Sequence, residues 1–481
     1  MIKTNFPNKI INRHIKKINS QYKKNKFENA LCLMSSMAKV QYLYNQTYKD
    51  DYLEEMLNKI SIKMKYDIKH KKEDRTVLFY DGFGIDQRGL VQVYLKALVS
   101  QGYRVIYVTM AMTNELQPRV ISVIKNKSSI ICHYSGQNFI DKVKWLDEIF
   151  EQHPFSTAFL YTTPWDVSGI IAFDHLKNKC QRYQINLTDH AFWLGVNAFD
   201  FSIEFRNYGA AISRDFRKIS EDKLLFLPYY PIIDNSFEFQ GFPFNEKGKK
   251  IIFSGGAIYK TFDKANTFFI MVENILLQNP NTIFLFASDK INNLLQNLIT
   301  KYPQRVYWIE ERKDLIKVLE HSYLYLNTYP ISGALMLQYA AMAGCIPVTL
   351  RRPWDDDACG ILRDEGKLGE IFDDLDSVLH EINRLIVDEK YYREKKLLLK
   401  DQVIPEKEFQ KRLNNAITNP SMEKMSCIKK VNTKKYIESY KENLSRQQIV
   451  DAVINNRLKR NIIFFPDLFF EKIIYKLKKN L

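Results

Sequence analysis

The spacing of hydrophobic residues changes along the chain, and the changes divide it. Across ENALCLMSSMAKVQYLYNQTY apolar residues recur at helical intervals, and residues 1–70 read as helical throughout. From residue 75 short β-branched and aromatic runs alternate with helical stretches. Strands are expected at 75–84, where the strand ends in a turn, and at 103–110, 156–163, 181–188, 199–205 and 223–231. Helices are expected at 88–102 and 138–153 and near 167–176. The polar stretch FQGFPFNEKGKK (239–250), with glycine and proline, reads as a linker. Beyond it strands at 250–260, 282–289, 305–311, 323–329 and 346–350 alternate with helices, and charged helices over 376–418 are suited to pack back across both halves. Two such βα series predict an α/β chain of two Rossmann-like, doubly wound domains facing a cleft, with helical extensions at both ends. The expected boundaries are a helical extension over 1–72, a first domain over 73–240, a second over 241–420 and a basic tail over 421–481.

Composition adds limits. With 481 residues, 46% of them hydrophobic, the chain can bury large cores in two or three domains of roughly 150 residues. No run approaches the ~20 uncharged apolar residues of a spanning helix, and MIKTNFPNKIINRHIKK lacks the apolar centre of a signal peptide, so a cytoplasmic location is expected. Six scattered cysteines without a C-x-x-C pair read as reduced packing residues.

The net charge of +16 sits at the ends. Residues 1–30 hold eight Lys/Arg and one acid, residues 421–481 hold fourteen and six, and the stretch between them is nearly neutral. A nucleic-acid protein more often carries its basic stripe on a recognition domain; charge at the termini points instead to an anionic membrane face or to solvated tails.

Four stretches carry candidate chemistry. In FSGGAIYK, Gly255 and Gly256 end a strand and Lys260 follows, a combination that lets backbone N–H groups and one mobile cation approach a phosphate, although an ordinary tight turn has the same look. It is neither a Walker loop nor G-x-G-x-x-G. In LNTYPISGALMLQYAAMAG a strand ends at Asn327-Thr328 and a loop leads through Ser332 to Gly333 at a helix start, where free N–H groups and the helix dipole favour a pyrophosphate. In INLTDHAFWLG, Asp189 and His190 follow a strand; a histidine beside a carboxylate can take a proton near neutral pH if the two side chains meet, which neighbours on an extended chain do not guarantee. In FSIEFRNYG, Glu204 and Arg206 are secondary candidates, Arg206 for a phosphate or an acidic acceptor. RRPWDDDACG contains a D-x-D at Asp355 and Asp357, but its place before an expected helix favours helix-dipole acids over metal ligands; Arg351 and Arg352 are then available to an anionic donor.

Across about residues 180–350 this order of landmarks resembles the GT-B glycosyltransferases. Tyr259-Lys260 with the Asn-Thr…Ser-Gly loop is most similar to the protein O-GlcNAc transferase and bacterial adhesin-glucosyltransferase branch. The resemblance implies transfer of a sugar from a nucleotide diphosphate donor, UDP-linked, to a glycan, lipid-linked or protein acceptor in bacterial surface glycan or glycoprotein assembly, with no metal and no further cofactor. It implies Lys260 on the donor diphosphate, Ser332 and Gly333 at the phosphate-binding helix start, Arg312 near the base and His190 as the cleft histidine. From the residues themselves, Gly255, Gly256, Asn327, Thr328 and Gln338 complete the donor-side candidates, and Asp189 joins His190 as the expected catalytic pair. The sequence departs from the pattern where a ribose-binding carboxylate is usual, since ALMLQYAAMA offers Gln338 and Tyr339 and no acid. A catalytically silent partner subunit and a polyol-phosphate transferase are the alternatives.

Overall fold

A computed structural model describes residues 5–65, 68–84, 89–110, 122–124, 129–233, 236–352, 362, 371–399, 401–455 and 458–479. The chain divides into two compact units, Met1–Leu227 with Gln410–Leu481, and Pro228–Phe409.

The first unit is built on seven parallel strands, β1 (Thr76–Asp81), β2 (Arg104–Thr109), β3 (Ile130–His133), β4 (Thr157–Tyr161), β5 (Gln181–Ile185), β6 (Phe201–Glu204) and β7 (Leu224–Phe226), in the order β3-β2-β1-β4-β5-β6-β7. All six residues of β1 are buried, as in a parallel strand covered on both faces. Register places Phe79 opposite Phe159, and the rings of Phe79, Phe159, Tyr183 and Phe201 stack in a row across four strands, with centroids 5.1–6.1 Å apart. The sequence pattern does not reveal β3, because this short edge strand leaves all four of its residues partly or fully exposed.

The N-terminal helices do more than extend this unit. Helix Phe27–Tyr44 buries residues around its whole circumference, so it must be enclosed on every side. Leu31, Leu33, Met34 and Met37 share one core with Phe150 and Phe173, from helices Phe139–Gln152 and Val167–His175, and with Ile449, Val453 and Phe465 from the far end of the chain. Residues 421–481, set apart in the sequence by charge, are thus part of the first unit. Pro466 opens the last helix, Pro466–Lys479, where its missing N–H costs nothing, and so separates it from helix Leu458–Phe464.

The second unit has six parallel strands, β8 (Lys250–Gly255), β9 (Thr282–Ala287), β10 (Val306–Ile309), β11 (Leu324–Leu326), β12 (Ile346–Leu350) and β13 (Ile371–Phe372), in the order β10-β9-β8-β11-β12-β13. The expected linker at 239–250 is docked on this unit. Phe239 stacks on His321 at 3.9 Å, Phe242 on Phe244 at 5.1 Å, and Phe244 lies 4.5 Å from Tyr307. Three phenylalanines in six residues bury too much apolar area to remain in solvent. The division therefore falls at 227/228 and not at 240/241.

In both sheets the strand order reverses at one place, between β1 and β4 and between β8 and β11. In such sheets the crevice outside the carboxyl ends of the strands at the reversal is where ligands bind.

Candidate functional site

In the second unit the loops after β8 and β11 meet at the reversal. Gly256 has φ +145°, a backbone conformation open to glycine alone, and the Lys260 stem crosses it, with Cδ 3.7 Å from where a Cβ would stand. The Lys260 carbonyl accepts the Ile331 N–H at 3.3 Å, tying the two loops together. Asn327 is fully buried and frames the second loop: Oδ1 accepts the N–H groups of Thr328 (3.0 Å) and Gly333 (2.8 Å), and Nδ2 donates to Thr349 Oγ1 at 3.2 Å. Thr328 Oγ1 donates to the Ile331 carbonyl at 2.7 Å. Asn327 and Thr328 therefore shape the loop that carries Ser332 and sets Gly333 as the N-cap of helix Ala334–Met342. The first bond inside that helix is Leu337 N–H to Gly333 O, so the N–H groups of Ala334, Leu335 and Met336 point out of its positive end.

Beside these loops lies a cavity of about 240 Å³, lined by Gly255, Gly256, Ser288, Asp289, Glu311, Arg312 and Met336 among others. Arg312 walls the cavity while its guanidinium bonds both oxygens of Asp314 and the Gly241 carbonyl (2.6 Å). Gln338 is elsewhere: buried, one turn into the helix, it donates to the Tyr229 carbonyl at 2.8 Å, and Tyr339 donates to that of Ile232 at 3.2 Å. This side of the helix holds segment 229–232. Arg351 is likewise committed, its guanidinium paired with Asp373 beyond β13. Asp355 and Asp357 lie outside the described residues.

In the first unit β5 stops at Ile185, and residues 187–190 turn where the pattern predicts strand to 188. That turn is why neighbouring side chains meet: His190 Nδ1 lies 3.2 Å from Asp189 Oδ1. His190 follows the fifth strand of its sheet, not the fourth, because β3 precedes it. Arg206 grips Asp189 in two bonds, Nε to Oδ2 at 2.5 Å and Nη2 to Oδ1 at 2.7 Å. Burial opposes the charge of Asp189, but Arg206 and the His190 hydrogen bond outweigh it and hold the carboxyl well below the usual carboxylate range. An ionised carboxylate only accepts, so Nδ1 is the donor of this pair, and the tautomer that the bond selects has Nε2 as its acceptor, on a side chain 34% exposed. Arg206 is thereby spent on Asp189. Glu204, fully buried, accepts from Asn186 Nδ2, Ser202 Oγ and Ser213 Oγ, each at 2.8 Å, and burial pushes its pKa up. It belongs to the frame beneath the loop.

Three residues that the sequence does not single out hold the His190 segment. Arg217, buried against Trp193, donates to the carbonyls of Thr188 (3.3 Å), Asp189 (3.0 Å) and Ala191 (2.6 Å). Asn45 accepts the Phe192 N–H at 2.9 Å and donates to the His190 carbonyl at 3.4 Å. Glu54 accepts the Gly195 N–H at 2.8 Å. No local pattern marks them, since they act across 26 to 147 positions of sequence. Ser288, Asp289 and Glu311 were findable, because each lies at the carboxyl end of an expected strand, 282–289 or 305–311.

Glu54 gives a pH test of this support. Burial raises its pKa from 4.5 to about 7 against the pull of the Gly195 and Val196 N–H groups and Lys49. Between those values the native chain binds a proton that the unfolded chain has released. The contribution of Glu54 to stability is therefore full below about pH 4.5 and is lost as pH rises through about 7. Glu54→Gln is expected to flatten the decline of melting temperature across that window; an unchanged slope would show that Glu54 does not titrate there.

No protein-family model matches the chain, and no curated protein matches it by sequence. Solved structures do match in fold. A mutant O-GlcNAc transferase from Thermobaculum terrenum aligns with TM-score 0.51 and 13% identity, over 84% of this chain and 80% of its own. A putative UDP-N-acetylglucosamine 2-epimerase from Listeria monocytogenes gives 0.53 and 12%, over 75% and 100%. The UDP-GlcNAc 2-epimerase of Neisseria meningitidis, bound to UDP-GlcNAc, gives 0.51 and 13%, over 71% and 98%. With two doubly wound parallel sheets of this strand order in one chain, the protein has the two-domain α/β architecture of the GT-B glycosyltransferase fold.

Proposed function

We propose that the protein transfers a sugar from a nucleoside diphosphate donor, UDP-linked, to a hydroxyl of a glycan, lipid-linked or protein acceptor in bacterial surface glycan or glycoprotein assembly. The observation that carries this reading is the convergence at the β8/β11 reversal: the glycine turn at Gly256, the Lys260 stem laid across it, and the N-terminal end of helix Ala334–Met342, beside a cavity large enough for a nucleobase. The diphosphate sits on the N–H groups of Ala334–Met336 with Lys260 beside it, and the nucleoside enters the cavity. Asp289 and Glu311 on the cavity wall offer carboxylates for ribose hydroxyls, the contact that Gln338 does not supply. The acceptor oxygen bonds to the anomeric carbon, the bond from that carbon to the diphosphate oxygen breaks, and the acceptor proton passes to His190 Nε2. Lys260 and the helix end stabilise the negative charge that builds on the leaving diphosphate, so a metal ion is not required.

A second reading, a silent subunit of a glycosylation complex, draws on the absence of any acid in helix Ala334–Met342. Donor hydrolysis separates the readings. Release of nucleoside diphosphate from a panel of nucleotide sugars supports transfer, release of nucleoside monophosphate from polyol donors points to polyol-phosphate transfer, and binding without release leaves the silent subunit. Lys260→Ala is expected to weaken nucleoside diphosphate binding by about 1.5–3 kcal/mol, the value of one charge-assisted hydrogen bond, with the melting temperature retained. Unchanged affinity in titration calorimetry would remove Lys260 from the site.

A further inference from the structure

Helix Pro466–Lys479 is apolar on two opposite sides. Its inner side buries Leu468 in the core of the first unit and is fastened by Lys472 to Asp451 at 2.8 Å. Its outer side carries Phe470, Ile473, Ile474 and Leu477 at i, i+3, i+4 and i+7, between 39% and 62% exposed. Exposed Lys476 and Lys478 border that stripe on either side. One apolar side is enough to dock such a helix on its own unit, so a second, exposed apolar stripe calls for an apolar phase of its own.

Folding brings the other basic end beside it. Arg13 of helix Phe6–Lys23 pairs with both oxygens of Asp467 (2.6 and 2.8 Å), and Arg13 and Lys17 lie over the Phe465 ring at 5.0 and 5.4 Å. Lys9, Arg13, Lys16 and Lys17 share one face of that helix at i, i+4, i+7 and i+8. The two segments that hold nearly all of the chain's excess positive charge are therefore neighbours, with an exposed apolar stripe next to a basic ridge.

We propose that this surface docks the protein on a bilayer leaflet rich in anionic lipid. Phe470, Ile473, Ile474 and Leu477 enter the boundary between headgroups and acyl chains, and the lysines meet lipid phosphates. A second copy of the chain is a poor occupant, since the contact would set one basic ridge against another. The inference is independent of sugar transfer.

The test is co-sedimentation of the full-length protein with vesicles of phosphatidylglycerol and phosphatidylcholine, against vesicles of phosphatidylcholine alone. Binding is expected only to the anionic vesicles and is expected to weaken as salt rises, because the attraction is screened over a Debye length of about 8 Å at physiological ionic strength. Phe470→Ser with Ile474→Ser should lower vesicle binding roughly tenfold or more, and Lys9→Glu with Lys16→Glu should do the same by removing charge. All four side chains face solvent, so the melting temperature should stay at the wild-type value. Titration with nucleoside diphosphate reports separately on the donor site. Equal binding to neutral and anionic vesicles, undiminished binding of either double variant, or a wild-type dimer that the serine variant converts to monomer would each overturn the proposal.

Discussion

His190→Ala is expected to lower the turnover of sugar transfer roughly 10²–10⁴-fold while donor affinity stays nearly constant, the signature of a group that acts on the reacting proton and not on donor binding. The geometry behind this expectation is specific. Asp189 is ionised and accepts from Nδ1, Arg206 fixes both oxygens of Asp189, and Arg217 fixes the carbonyls on either side of the histidine. The ring is thus held on one backbone path with Nδ1 donating to Asp189, which under the proposed reaction leaves Nε2 to take the acceptor proton. Donor hydrolysis and transfer, measured with calorimetry on the same variant, check it. Wild-type turnover would leave His190 an ordinary loop residue.

The second large effect is on stability. Arg206→Ala removes the two-bond partner of a fully buried carboxylate and is expected to cost about 3–5 kcal/mol, since the charge left behind has no water and keeps only the His190 hydrogen bond and the weaker pull of Arg217. Combining it with Asp189→Asn should recover part of that loss, because the neutral amide no longer needs a cation. Thermal unfolding of the two single variants and the double variant measures the coupling, and strictly additive losses would show that the pair is not energetically linked. Acid should mimic the break. Folding depresses the Asp189 pKa, so the stability from this pair is present above the unfolded carboxyl value of 3.8 and is lost as pH falls through the lower native value.

What was legible in the chain follows from the range of each signal. The alternation of strands and helices is local, and five of the six strands of the second unit stand within the expected segments; the sixth, Ile371–Phe372, is two residues long. The glycine turn at Gly255-Gly256 and the helix start at Gly333 were legible because a positive φ and a cap leave residue-type signatures. The resemblance to the GT-B glycosyltransferases stood on the same landmarks, and the strand order agrees with the fold it implies.

Tertiary structure decided the rest. Periodicity shows that Phe27–Tyr44 is a helix but not what encloses it, and the enclosing residues come from both ends of the first unit, more than 400 positions apart. Charge set residues 421–481 apart as a tail, whereas packing makes them part of the first core and lays their basic helix beside the N-terminal one. Side-chain chemistry offered Glu204, Arg206, Gln338 and Arg351 as ligands, yet each is engaged with a protein group, because a polar side chain that folding buries must find its hydrogen-bond partner inside the protein. The sequence by itself determined most of the strands and helices and where glycine lets the backbone turn sharply, since those depend on neighbours within a few residues. Which polar side chains remain available for chemistry, and which hold His190 in place, depends on contacts between distant segments, and these exist only once the chain is folded.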